Sequence, residues 1–333
     1  MAEGVPFETA EPELKIFLAK NPLQTLPGAL FDLANVSTLS LRHTGLRELP
    51  DGIGRLGKLK DLNLMSNRLR YLPGSLLGLL GEPGPLRHLR CLGNSTLFFL
   101  EDLQCKGSSA GADEEASSAI RQDDLAAWAG LPVAAGAVFV ARTPVETCDT
   151  MGRPESDFIL NDFLLNKRAS LAEDANLALL PRASQLSSRR PWSHPVQTKV
   201  PSLLELALRK CYDSSSLAEL PQFLPDDGFS SLQSLLRQAL AQKEEGGKQC
   251  SQCGKLFVFP RTKWIEWWRL TGDTHISPAE EEKGCYHDIL PFIHFGCSTS
   301  CLPRHIKRGT TLEELRTGRV DKDSPISAVA LHR

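Results

Sequence analysis

Apolar residues near the N-terminus recur in a fixed frame. They fall at Leu39, Leu41, Leu46 and Leu49 ahead of Pro50, and again 23 residues later at Leu62, Leu64, Leu69 and Leu72 ahead of Pro73. The frame runs back to Ile16, Leu18, Leu23 and Leu26 before Pro27, and forward, after a short insertion, to Leu89, Cys91 and Asn94. Its polar position holds Asn21, Thr44, Asn67 and Asn94. This is the spacing of a leucine-rich repeat, with a short strand, a turn and a return segment in each copy. One copy cannot bury its leucines, but stacked copies form a continuous ladder. The polar side chain at each turn can bond backbone groups that the bend leaves unpaired. Residues 13–100 are therefore expected to form a short solenoid with parallel strands on its concave face. Side chains that alternate with the buried leucines point outward there. Phe17, Ser40, Arg42, Asn63, Met65 and Arg90 are the expected partner-binding residues. Their mixture of apolar and cationic groups suits a partly acidic peptide or domain.

The pattern changes after the repeats. Small, polar and acidic residues at 107–118 predict a linker within 101–136, and strands are expected within 137–165, with a turn at Asp149–Gly152. Leu125 to Ala141 is an apolar run broken by Gly130, Pro132 and Gly136, which reads as a loop and then a buried strand rather than a membrane span. A polar linker follows at 166–200. Helical periodicity then dominates 201–244: apolar residues fall at 203, 204, 207, 208 and 211, and a second stripe runs through Leu232, Leu235, Leu236 and Leu240. A cysteine module is expected at 245–310 and a basic tail at 311–333. The fold class is thus α/β: a short repeat solenoid followed by a small α+β cysteine-rich module.

Cys250-Ser-Gln-Cys253-Gly and Cys297-Ser-Thr-Ser-Cys301 are two short-spaced thiol pairs. Four thiolates in this arrangement fit tetrahedral zinc in a closed, structural site. Reduced buried cysteines and a redox pair are the competing readings. Cys285, His287 and His294 lie between the pairs and are candidate replacement ligands. A unit as small as 250–301 seldom holds together on apolar burial alone, which favours a metal. Trp264, Trp267 and Trp268 also lie between the pairs. Placed on a helix they share one face, either as module core or as an exposed partner hot spot.

Charge adds little: 38 basic and 40 acidic residues leave a net charge of −2, with no global pull toward nucleic acid or an acidic membrane. A locally basic strip (Arg304, Lys307, Arg308, Arg316, Arg319), with tryptophans for base stacking, keeps a nucleic-acid-binding reading open. The first residues show no secretory signal, so the glycosylation sequons at Asn35 and Asn94 are read as coincidental and the protein as cytoplasmic or nuclear. No glycine-rich phosphate loop, Gly-x-Ser-x-Gly or His-Glu-x-x-His string is present, which argues against an enzyme.

The repeats resemble intracellular leucine-rich repeat proteins of the Leu-x-x-Leu-Pro subtype. Pro201-Ser-Leu-Leu-Glu-Leu206, Cys250 to Phe257, and Pro291 to Cys301 are similar to the second half of a fungal and animal group of such proteins. That resemblance implies a protein-binding adaptor. Some animal members are regarded as substrate receptors of cullin–RING ubiquitin ligases that use an elongin C-binding helix. The same frame here is Ser202 to Cys211, with Leu203, Ala207 and Cys211 at the contact positions. A helix that caps the solenoid is the alternative.

Overall fold

The computed structural model describes residues 12–81, 83–94, 97, 131–132, 136–161, 201–224, 230–270 and 289–317. Four repeat strands, β1 (Leu14–Phe17), β2 (Val36–Ser40), β3 (Asp61–Asn63) and β5 (His88–Arg90), pair in parallel in that order. A further short strand, β6 (Leu131–Pro132), closes the sheet antiparallel to β5. The return segments are 3-10 turns at Gly28–Asp32, Asp51–Arg55 and Gly74–Leu79. Leu39, Leu41, Leu46, Leu62, Leu64, Leu69, Leu72 and Leu89 are all buried in one cluster, as the ladder requires. The α/β reading with a parallel repeat sheet thus holds.

The turn position carries the hydrogen bonds expected of it. Asn67 Oδ1 accepts from the backbone N–H groups of Thr44 (3.0 Å) and Leu46 (3.3 Å) and from the Thr44 hydroxyl (2.9 Å). Its Nδ2 donates to the carbonyls of Leu41 (2.8 Å) and Leu64 (2.9 Å). Asn94 repeats the pattern one rung on, donating to Leu64 and Cys91. The residue just before this position is left-handed in every copy: Lys20, His43, Ser66 and Gly93 all have positive φ. Replacing Asn67 by Ala orphans several buried backbone groups at about 1–3 kcal/mol each. A loss of about 3 kcal/mol or more is expected in urea unfolding, whereas Asn21→Ala, on the exposed first rung, should cost under about 1 kcal/mol.

A second sheet lies against the solenoid. Its long hairpin is β11 (Thr262–Leu270) with β12 (Ile289–Gly296); β7 (Ala137–Arg142) flanks β11 antiparallel, and β8 (Glu146–Thr147) pairs with the start of β11. On the other side β12 pairs in parallel with β4 (Leu72–Pro73) of the third repeat. Phe139, Trp268, Leu270, Leu290 and Phe292 join the repeat leucines in one core. Apolar burial between the cysteine pairs therefore does not depend on that segment alone.

The tryptophan segment is a strand, which corrects the helix expected from its spacing. Trp264, Glu266, Trp268 and Leu270 alternate with Ile265 and Trp267, and all six are buried. Trp268 faces the repeat core while Ile265 and Trp267 face a second cluster with Val140, Leu160 and Ile293. A strand covered on both faces shows no clean period of two, so the sequence left its type ambiguous. Burial also removes the exposed hot spot and the base-stacking platform from consideration.

Two longer helices, α1 (Leu203–Asp213) and α2 (Ser230–Glu244), lie close to their expected places. Ser202 caps α1 by accepting from the Glu205 N–H. The Glu205 carboxylate then accepts from the backbone N–H groups of Val258 (3.0 Å) and Phe259 (3.2 Å) and pairs with Arg209 (2.7 Å), which anchors α1 to the chain entering β11. The turn after α2 meets the first repeat so closely that a Cβ on Gly28 would stand 2.4 Å from the Gly246 nitrogen. A final short helix, α3 (Leu312–Thr317), sends Arg316 to the carbonyls of Leu77 (2.9 Å) and Gly78 (3.2 Å), so this tail arginine binds the third repeat. Among the described residues no helix is long and apolar enough to cross a membrane.

Candidate functional site

The two cysteine pairs come together. The hairpin of β9 (Lys248–Gln249) and β10 (Leu256–Phe257) carries Cys250 and Cys253 in its turn, and the end of β12 delivers Cys297 and Cys301. All four sulfurs lie within 4.8 Å of one another. Cys253 to Cys297 is 3.5 Å, Cys297 to Cys301 3.8 Å and Cys301 to Cys253 4.0 Å. A tetrahedral ion with metal–sulfur bonds of about 2.3 Å requires sulfurs about 3.8 Å apart, so the donor set fits a metal ion. These separations are far too long for a disulfide, whose sulfurs are bonded at about 2.05 Å.

Local backbone explains the gathering. Gly254 donates to the Cys250 carbonyl (2.8 Å) and Cys250 donates to the Lys255 carbonyl (2.9 Å), which forms the knuckle. Ser251 N–H donates to Phe295 O (2.9 Å) and docks the knuckle on β12. Backbone N–H of Cys297 reaches Cys250 Sγ (3.4 Å), and the Ser298 hydroxyl lies 3.2 Å from Cys301 Sγ. Gly296 has to be glycine: a Cβ there would come within 2.4 Å of the Cys301 carbonyl oxygen. The closeness of Cys297 holds the Cys250 pKa well below the ordinary thiol range, while the same pairing pushes Cys297 up. Burial pushes Cys301 up. Thiols bind metal in their thiolate form.

His294 is not among these ligands. Its ring stacks on Trp264 (centroids 5.4 Å apart, planes 8° apart), and Nε2 lies 3.5 Å from Glu266. Burial lowers its pKa. Cys285 and His287 lie outside the described residues. Spacing alone did not reveal Glu266, whose carboxylate accepts from the indole N–H groups of both Trp264 (3.0 Å) and Trp268 (3.1 Å), with Arg142 at 3.5 Å. A lone acid within an apolar, aromatic string was the available signal.

On the concave sheet Phe17 is 68% exposed, Arg42 is exposed, and Asn63, Met65 and Arg90 are half-buried. Ser40 is nearly covered by its neighbours. Leu203 and Ala207 are exposed on α1, Leu203 to 85%, whereas Cys211 packs into the helical core, so the three do not form one open stripe.

Comparison with known proteins finds a partial likeness. A stretch of 98 residues, 29% of this chain, is 35% identical to vasorin of Mus musculus and, equally, to vasorin of Homo sapiens. The chain covers only 14% of the length of these curated relatives. No protein-family profile matches the chain, and no solved structure matches it. The likeness and the parallel repeat sheet describe a leucine-rich-repeat region, and the four clustered cysteines form a donor set able to hold a metal ion.

Proposed function

We propose that the protein is a non-enzymatic adaptor of the cytoplasm or nucleus. It binds a partner protein on the concave face, and a structural zinc ion holds its C-terminal knuckle. The observation that carries this reading is the register of β1, β2, β3 and β5, which sets matched rows of outward side chains on one continuous surface. Such a surface grips extended partners without a deep pocket. For the ion, four thiolate donors fill a tetrahedron and leave no position for water or substrate, which supports a structural rather than catalytic zinc. The test is quantitative affinity purification from cells expressing the full chain. A partner should be recovered by wild type and by Phe223→Asp, whose side chain is 77% exposed among the helices, but lost with Phe17→Asp/Met65→Asp. Equal recovery by all three would sink the concave-face reading.

A second reading is favoured by the exposure of Leu203 and Ala207 on the first turns of α1. It makes the chain a receptor that presents its partner to a cullin–RING ubiquitin ligase through elongin C. Recovery of elongin C that is lost on Leu203→Asp supports it, and no recovery by wild type removes it.

A further inference from the structure

Hydrogen-bond donors and acceptors are out of balance on the concave face. The register sets Phe17, Ser40 and Asn63 side by side on β1, β2 and β3. Arg42 and Met65 stand one outward position further along their chains, adjacent through the His43 N–H to Met65 O bond. Asn63 Oδ1 accepts from the backbone N–H of Met65 at 3.1 Å, which fixes the amide orientation and commits its oxygen. The two N–H groups of Nδ2 then remain to be offered to a partner. The Ser40 hydroxyl lies next to it in the row, and the Arg42 guanidinium is exposed. Nearby carboxylates are already engaged. Asp61 holds His88 Nδ1 at 2.6 Å, and Glu13 pairs with Lys60. A chain of net charge −2 thus places a local surplus of donors and positive charge on this one face, between the apolar side chains of Phe17 and Met65.

We propose that the concave face recognises a carboxylate side chain in an extended peptide segment whose neighbouring residue is aromatic or aliphatic. This rests on the reading of that face as the partner-binding surface. The carboxylate accepts from Arg42 and from Asn63 Nδ2, and the adjoining apolar side chain packs on Phe17 or Met65. One guanidinium and two neutral donors match a single negative charge. A phosphate dianion draws clusters of arginine instead.

The test is a peptide-display library panned on the full chain, followed by titration of a fluorescent synthetic peptide carrying the consensus. Selected sequences should hold Asp or Glu beside an aromatic or aliphatic residue. Asn63→Asp keeps an oxygen for the Met65 N–H and replaces the donor by a negative oxygen, so it should weaken the peptide about tenfold or more. Changing the peptide acid to its amide should weaken binding to wild type similarly, and added salt should weaken the acidic peptide selectively. Peptides that lack an acid and ignore Asn63→Asp, yet fail on Met65→Asp, overturn the carboxylate inference and leave the surface assignment standing. A phosphoserine version binding more than tenfold tighter than the acid also overturns the inference alone. If no selected peptide responds to either substitution, both fall together.

Discussion

Cys297→Ser should lose the metal ion proposed for the four-cysteine cluster: metal content should fall from one ion per chain to none. Cys297 is buried, as Cys250 is; its sulfur touches two other thiols, and its backbone N–H also reaches Cys250. A serine hydroxyl keeps the size but is a poor ligand beside three thiolates. Structural zinc supplies about 10–16 kcal/mol of apparent binding free energy in isolated zinc-finger peptides at neutral pH. Here the stake is smaller and local. Among the described residues the apolar cluster at the site is small, Phe257 and Phe295 with Cys250, Cys297 and Cys301, while Trp268, Leu290 and Phe292 of β11 and β12 bury against the repeats. The expected result is a low-temperature unfolding step and new proteolytic cleavage at 245–261, with the repeat sheet retained. Cys91→Ser is the control. Cys91 is just as buried, in the repeat core, and its loss should lower stability while leaving the metal in place. Metal analysis and limited proteolysis on both variants decide the matter. Undiminished metal in Cys297→Ser would show that the four sulfurs are not the ligands.

The same contrast shows what could be read from the chain. The repeat was legible because its constraint is periodic: each leucine of the frame meets the equivalent leucine one copy away, and Asn67 and Asn94 occur at the position where the turn needs an amide. The cysteine cluster was legible because two short-spaced pairs fix most of a tetrahedron before tertiary structure intervenes. The parallel pairing of Phe292–Ile293 with Leu72–Pro73 was not, since nothing local records a contact between segments so distant in sequence. Ser202 and Glu205 could be recognised as a helix start. The use of the Glu205 carboxylate on Val258 and Phe259 could not, because that partner comes from another part of the chain. The tryptophan string failed for a different reason. Spacings of three and four suit a helix, and with both strand faces buried no polar alternation was left to contradict it.

Glu266 sits in the middle of that string, and Glu266→Ala should cost about 3–5 kcal/mol, the range for removing one partner from a buried charged network. The carboxylate is the sole acceptor found for the indole N–H of both Trp264 and Trp268 among the described residues, and it lies 3.5 Å from Arg142 and from His294. Removing it orphans two buried donors and leaves the Arg142 charge, only partly exposed, without its counter-ion. It also opens a void on the face of β11 that carries Trp264 and Trp268, where Trp268 packs into the repeat core. Glu266→Gln separates these contributions. The amide oxygen can still serve one indole, but its NH2 group confronts the other donor and the neutral side chain no longer balances Arg142. An intermediate loss is therefore expected, with the packing preserved. Urea unfolding followed by tryptophan fluorescence reads both effects, because the reporters are the residues whose environment changes. Equal stability of wild type and Glu266→Ala would mean that the two indoles find other acceptors, and that the buried carboxylate adds nothing to the apolar packing of β11 on the repeats.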